Sequence, residues 1–240
     1  MAETHGLDPA GVVEAVADGV VAAERDTGVR AQIIGIMSRT YDTETCHREL
    51  DALLAHRDHL VAIDLAGDEA RFPASRFVEH FKRARDAGLQ VTVHAGEVDG
   101  PQSVWSAIRE LGAARIGHGI HALEDPALVE FLVERRVGLE IAITSNIQVG
   151  IVEDYPDHPV KRILEAGIVA NLNTDDPAIS GIDLRHEFEV AAARAGLSPA
   201  QTRQAQANAL EMAFLSEGEK QALLRKMVLE RTTTQAQNCL

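Results

Sequence analysis

The chain has 240 residues, 45% of them apolar and 25% charged, with a formal net charge of −14. That length and balance suit one α/β domain with a substantial core, and they exclude a disordered or low-complexity chain. The negative charge argues against a general nucleic-acid surface or an anionic membrane as partner, although a neutral nucleoside is small enough to be recognised locally.

Two cysteines, Cys46 and Cys239, make no disulfide framework. The start "MAETHGLDPAGVVEAV" lacks a basic stretch followed by an apolar run, so no signal peptide is expected. No segment reaches the roughly 18 apolar residues of a membrane span. The expected compartment is the cytoplasm.

In chain order, "DPAGVVEAVADGVVAAERDTG" reads as a helix opened by aspartate-proline and closed by glycine. Six short apolar runs follow: "AQIIGIM" at 31–37, "LVAIDLAG" at 60–67, "QVTVHAG" at 90–96, "RIGHG" at 115–119, "GLEIAIT" at 138–144 and "IVANLNT" at 168–174. Most are continuous rather than alternating, as in parallel strands covered on both faces. Their starts lie about 23 to 30 residues apart, one βα unit each. Helical stretches such as "TETCHRELDALLAHR", "SVWSAIRELG" and "HPVKRILEAG" fill the intervals, several ending in glycine. After 174 the chain reads as wholly helical, with "RTTTQAQNCL" as a frayed tail. Residues 1–240 are expected to form a single domain.

An open doubly wound sheet and a barrel both satisfy this rhythm. His94, His118, Asn146 and the pair Asp175–Asp176 come from four different units, each at or just after a strand's C-terminal end. A barrel brings such ends to one mouth, so a barrel is the expected fold. It has six strands where eight are needed, and residues 1–30 leave no room for two more units.

"VTVHAGE" at 91–97 delivers His94 and Glu97 from a strand end, a metal-binding type of residue beside a proton-moving one. The bland reading of His94 is a core histidine with satisfied partners, and that of His118, between Gly117 and Gly119, is an incidental turn residue. "NTDDP" at 173–177 is sharper, because two adjacent buried carboxylates need a cation or hydrogen-bond donors. Its alternative is helix capping by Asp176 before Pro177. Asp183 and Glu187 read as a helix start and a solvated face, His56 and His59 as surface. His121 shows no carboxylate partner, and "TSN" at 144–146 either lines the pocket or ties a loop.

Taken together, "DLAGDE" at 64–69, "HAGE" at 94–97, "RIGHG" at 115–119, "TSN" at 144–146 and "NTDDP" at 173–177 resemble the adenosine deaminase family. "GIMSR" at 35–39 and "NALEMAFLS" at 208–216 extend the resemblance over almost the whole chain. It implies a (β/α)8 TIM-type barrel of the metal-dependent hydrolase kind, a bound zinc ion, and conversion of adenosine or 2′-deoxyadenosine to the inosine product and ammonia. By the same resemblance His94 and Asp175 would bind zinc, and Glu97 would move a proton at purine N1. His118 would orient the zinc-bound hydroxide and take its proton. Asp176 would contact that hydroxide and purine N7, and Gly67 would offer its backbone N–H to N3.

Two departures from the family pattern stand out. Ala142–Ile143 replaces the usual Cys-Pro before Thr-Ser-Asn, a packing change. The family's first strand supplies two zinc ligands as His-x-His, and the ten histidines, at 5, 47, 56, 59, 80, 94, 118, 121, 158 and 186, contain no such pair. The expectation is an N-terminally shortened member, an incomplete barrel without its first two strands, prone to self-association through exposed strand edges. Deamination of adenine or a modified adenosine, and a catalytically inactive partial barrel, are the alternatives.

Overall fold

The six apolar runs become the strands of one parallel sheet: β1 (Ile33–Ser38), β2 (Leu60–Ala66), β3 (Gln90–Ala95), β4 (Arg115–His118), β5 (Gly138–Ile141) and β6 (Ala170–Leu172). They lie side by side in chain order, each parallel to its neighbour. The computed structural model describes residues 5–226, so the tail "RTTTQAQNCL" and Cys239 lie outside the described residues.

The helix α1 (Pro9–Thr27) precedes β1. Crossovers carry α2 (Thr43–Ala55), α3 (Val78–Asp86), α4 (Pro101–Ser106) with a π turn at Ala107–Leu111, α5 (Pro126–Arg135), α6 (Ile143–Gln148) and α7 (Val160–Glu165). After β6 come α8 (Pro177–Ser180), α9 (Leu184–His186), α10 (Ala192–Arg194) and α11 (Pro199–Met212). Helix starts follow local chemistry: Asp8, Asp42 and Asp125 each accept a backbone N–H from the first turn of α1, α2 and α5. Sequential parallel strands with helical crossovers are the wall of a (β/α)8 barrel, here incomplete at six strands.

The strands alternate, which the apolar runs conceal. Ile63, Leu65, Val91, Val93, Ile116, Leu139, Ile141 and Leu172 face the helices and are at most 3% exposed. The residues between them, Asp64, Thr92, His94, Arg115, Glu140 and Asn171, share the opposite, inner face. Arg115 Nε lies 2.9 Å from Glu140 Oε1, and Thr92 Oγ1 donates to Glu140 Oε2 at 3.1 Å. A polar inner ladder thus runs toward the C-terminal mouth.

The fifth run ends earlier than its apolar length suggests. β5 stops at Ile141, and Ile143–Gln148 turns into α6, so "TSN" is helical rather than a strand end. The cause is distant: the Glu187 carboxylate accepts the N–H of Ile143 at 3.1 Å and of Thr144 at 3.3 Å. Glu187 is fully buried rather than on a solvated face, in a π turn at Glu187–Ala191 that directs it under α6.

Candidate active site

His94 at the end of β3, His118 at the end of β4 and Asp175 after β6 converge at the C-terminal mouth. Their ligand atoms all lie within 4.8 Å of one another, the one such cluster of metal-ligating side chains among the described residues. His94, His118 and Asp175 line a cleft of about 420 Å³ together with Glu140, Asn173 and Thr174. Two imidazoles and a carboxylate are a nitrogen–oxygen donor set that fits a zinc-like ion.

Backbone strain places two of the three. Strict alternation would send His118 outward with Ile116, but its φ of 61° turns it into the mouth; Asp175 has φ of 55°. Non-glycine residues rarely adopt this left-handed region, and at both positions it aims a functional side chain. Gly117 relieves crowding of a different kind. A Cβ there would stand 3.1 Å from the His94 ring, which lies across β4 at that point.

Asp64 Oδ2 sits 2.7 Å from His94 Nδ1, so the other ring nitrogen is the one left to face the cleft. Burial pushes the His94 pKa down, but Asp64, together with Asp175 and Glu140, outweighs it and lifts the pKa to about 9. His118 is held below its ordinary value, chiefly by burial, against the attraction of Glu97. Asp175 Oδ2 accepts a hydrogen bond from Ser145 Oγ at 2.6 Å and lies 3.9 Å from His118 Nε2.

Glu97 approaches from the loop after β3. Its Oε1 is 3.4 Å from His118 Nδ1 and accepts from Asn146 Nδ2 at 2.8 Å. The loop is held by the buried Glu69, whose carboxylate accepts the N–H groups of Gly96, Glu97, Val98 and Asp99 and the Ser103 hydroxyl. Arg39, itself fully buried, donates to the carbonyls of His94 at 2.6 Å and Leu65 at 3.3 Å, tying β3 to β2 beneath the site.

Asp176 occupies the N-cap position of α8, yet its side chain makes no capping hydrogen bond; Gly67, exposed after β2 with φ of 105°, lies at the same strand-end level. Asp183 caps α9 through His186 N–H, as read from sequence. His56 and His59 stay away from the cluster, His56 closing α2 and His59 in a short 3-10 turn. His121 does have a carboxylate partner, Glu124 Oε1 at 2.6 Å, one helical step away.

Sequence reasoning missed the supports: Asp64, Glu69, Arg39, Glu187 and His158. Asp64 leaves a signal, a lone carboxylate in the middle of an apolar strand. His158 leaves none, since its partner Asn146 belongs to another helix.

A parallel βα wall with a nitrogen–oxygen donor cluster suited to a metal and a glutamate at its C-terminal mouth is the arrangement of TIM-barrel hydrolases. The adenosine deaminase family profile matches residues 1–229. The chain is 58% identical over 229 residues to adenosine deaminase of Vibrio cholerae serotype O1, covering 95% of this chain and 69% of that one. It is 60% identical over 227 residues to adenosine deaminase of Salmonella newport, covering 95% and 68%. Among solved structures, adenine deaminase from Arthrobacter aurescens is similar, with TM-score 0.89, 30% identity, and coverage of 96% of this chain and 70% of that one. An amidohydrolase from Burkholderia ambifaria with bound zinc superposes with TM-score 0.87 at 25% identity over 94% and 63%. The chain belongs to the adenosine deaminase family, a deaminating hydrolase. No helix among the described residues is long and apolar enough to cross a membrane.

Proposed function

We propose that the chain carries out zinc-dependent hydrolytic deamination of adenosine and 2′-deoxyadenosine. The observation that carries this reading is Glu97 and His118, 3.4 Å apart, beside the His94–Asp175 pair at one strand-end mouth. His94 and Asp175 would hold zinc, which lowers the pKa of water toward neutrality and so supplies a nucleophile. His118 orients the attacking water toward purine C6. Glu97 gives a proton to N1, which makes C6 more electrophilic. Asp176, free of the helix cap, contacts the water and N7, and Gly67 N–H contacts N3. The water oxygen bonds to C6 and the C6–amino bond breaks. Of the water's two hydrogens, one replaces on Glu97 the proton given to N1 and the other leaves with the amino group as ammonia.

A second reading is deamination of the free base or a modified adenosine; the likeness to the Arthrobacter adenine deaminase, at about half the identity of the adenosine deaminases, favours only the free base. The test compares kcat/KM for adenosine, 2′-deoxyadenosine and adenine in the presence of zinc, for the chain and for Glu97→Gln. The nucleosides should be preferred, and Glu97→Gln should reduce turnover by about 10²–10⁴-fold while still taking up zinc. Preference for adenine would favour the second reading. Near-normal turnover by Glu97→Gln would remove the proton-transfer role, and no turnover with zinc bound would mark an inactive partial barrel.

A further inference from the structure

Asn146 is fully buried under the cleft and touches both proton-handling residues. Its Nδ2 faces Glu97 Oε1 at 2.8 Å and His118 Nδ1 at 3.1 Å, and its Oδ1 faces His158 Nε2 at 3.2 Å. A carboxamide can turn over with almost no change in shape, so packing alone does not choose this orientation. The choice falls to His158. Val160 N–H donates to His158 Nδ1 at 3.1 Å, so that nitrogen carries a lone pair and the hydrogen of the neutral ring sits on Nε2. Burial, assisted by His118, pushes the His158 pKa down to about 4, which keeps the ring neutral. Asn146 Oδ1 therefore accepts, and Nδ2 must donate toward both Glu97 and His118.

We infer that His158 is a positioning residue that, through Asn146, sets the tautomer of His118 and the orientation of Glu97. His118 Nδ1 is the lone-pair nitrogen and the hydrogen of the neutral ring lies on Nε2, the atom 3.9 Å from Asp175. Glu97 is bound through Oε1, which leaves Oε2 as the oxygen outside that contact. In this resting state His118 orients the attacking water by donating to it from Nε2. That consequence rests on the deaminase reading above; the tautomer does not, and it is measurable without turnover.

The experiment is ¹H–¹⁵N correlation of the imidazole rings in the ¹⁵N-histidine-labelled chain without metal, at neutral pH. His118 and His158 should each show an unprotonated Nδ1 and a protonated Nε2. His158→Gln, which can still donate to Asn146 Oδ1, should retain the His118 pattern. His158→Phe keeps the volume but not the donor and should shift His118 toward the Nδ1–H form. Asn146→Asp, nearly isosteric and unable to donate, should move the His118 hydrogen onto Nδ1, a check that holds even if the phenylalanine variant does not fold. A wild-type His118 already protonated on Nδ1, a folded His158→Phe with the His118 pattern unchanged, or an Asn146→Asp spectrum unchanged at His118 would overturn the inference. Those results leave the substrate comparison above unaffected, so the two proposals fail separately.

Discussion

Oδ2 of Asp64 lies 2.7 Å from Nδ1 of His94, and its other oxygen accepts the Leu65 N–H. A carboxylate in that position fixes the ring and raises its basicity toward a metal on the far nitrogen. Asp64→Asn removes the charge with little change in volume. Zinc affinity, measured by competition with a chromophoric chelator, should fall about 10–100-fold. Unchanged affinity would show that His94 does not hold the metal.

Zinc should also be held loosely by the unmodified chain. His94 and Asp175 supply two donors, and His118 is the one further donor of its kind within 4.8 Å among the described residues, whereas a closed zinc site uses four. After dialysis, metal analysis should give well under one equivalent per chain. Stoichiometric zinc that survives a chelator would require ligands beyond these three.

Glu69 is expected to control the loop that carries Glu97. Burial raises its carboxyl pKa, but the hydrogen bonds from Asp99, Ser103, Val98 and Gly96 lower it further, leaving it below 4.5. A depressed carboxylate contributes stability that is present above the unfolded pKa and is lost as pH falls through the folded one. Glu69→Gln should therefore lower stability at pH 7 by about 1–3 kcal/mol and flatten the acid limb. Hydrogen exchange at the amides of 96–99 should accelerate. Unchanged protection there would mean the loop is held by other contacts.

His158 predicts a pH dependence of the opposite origin. Its folded pKa of about 4 lies below the ordinary 6.5, so between those values the unfolded chain binds the proton and the folded chain does not. Stability from this group is full above pH 6.5 and declines as pH falls toward 4, by at most about 1.4 kcal/mol per pH unit. Urea melts between pH 7 and 4 should show a shallower decline in His158→Gln than in the parent. Equal slopes would place the titration elsewhere.

The two ends of the sheet should behave differently in association. On β6, Asn208 Nδ2 donates to the Ala170 carbonyl at 2.8 Å, occupying an acceptor that the parallel pairing leaves turned away from β5. On β1, Ile34 and Ile36 turn their backbone groups away from β2, and the Ile36 side chain is 54% exposed. Self-association through β1 is expected at micromolar concentration in light scattering after size exclusion, and Ile36→Lys should shift the chain toward monomer. A monomeric parent would show that this edge is covered.

Much of the architecture was legible before folding because it depends on local chemistry. Continuous apolar runs 23 to 30 residues apart suit buried strands joined by crossovers, and the six strands lie within those runs apart from Ser38 at the end of β1. The residue types at their C-terminal ends, His94, Glu97, His118 and Asp175, were expected to meet at one mouth because parallel strands bring those ends together, and they do. The length of β5 was not legible, since its apolar run continues through Thr144 and a carboxylate 43 residues away converts the remainder to helix. The face of Glu187 followed from that same contact.

Sequence alone therefore determined the strand rhythm, the barrel wall and the identity of the groups at its mouth, all consequences of burial and of the convergence of parallel strand ends. Only the tertiary structure decided how those groups are held. Asp64 against His94, Glu69 around residues 96–99, and His158 through Asn146 join residues 12 to 30 positions apart. Hydrogen bonds across such separations have directions set by the relative placement of whole elements, and no local spacing encodes that placement.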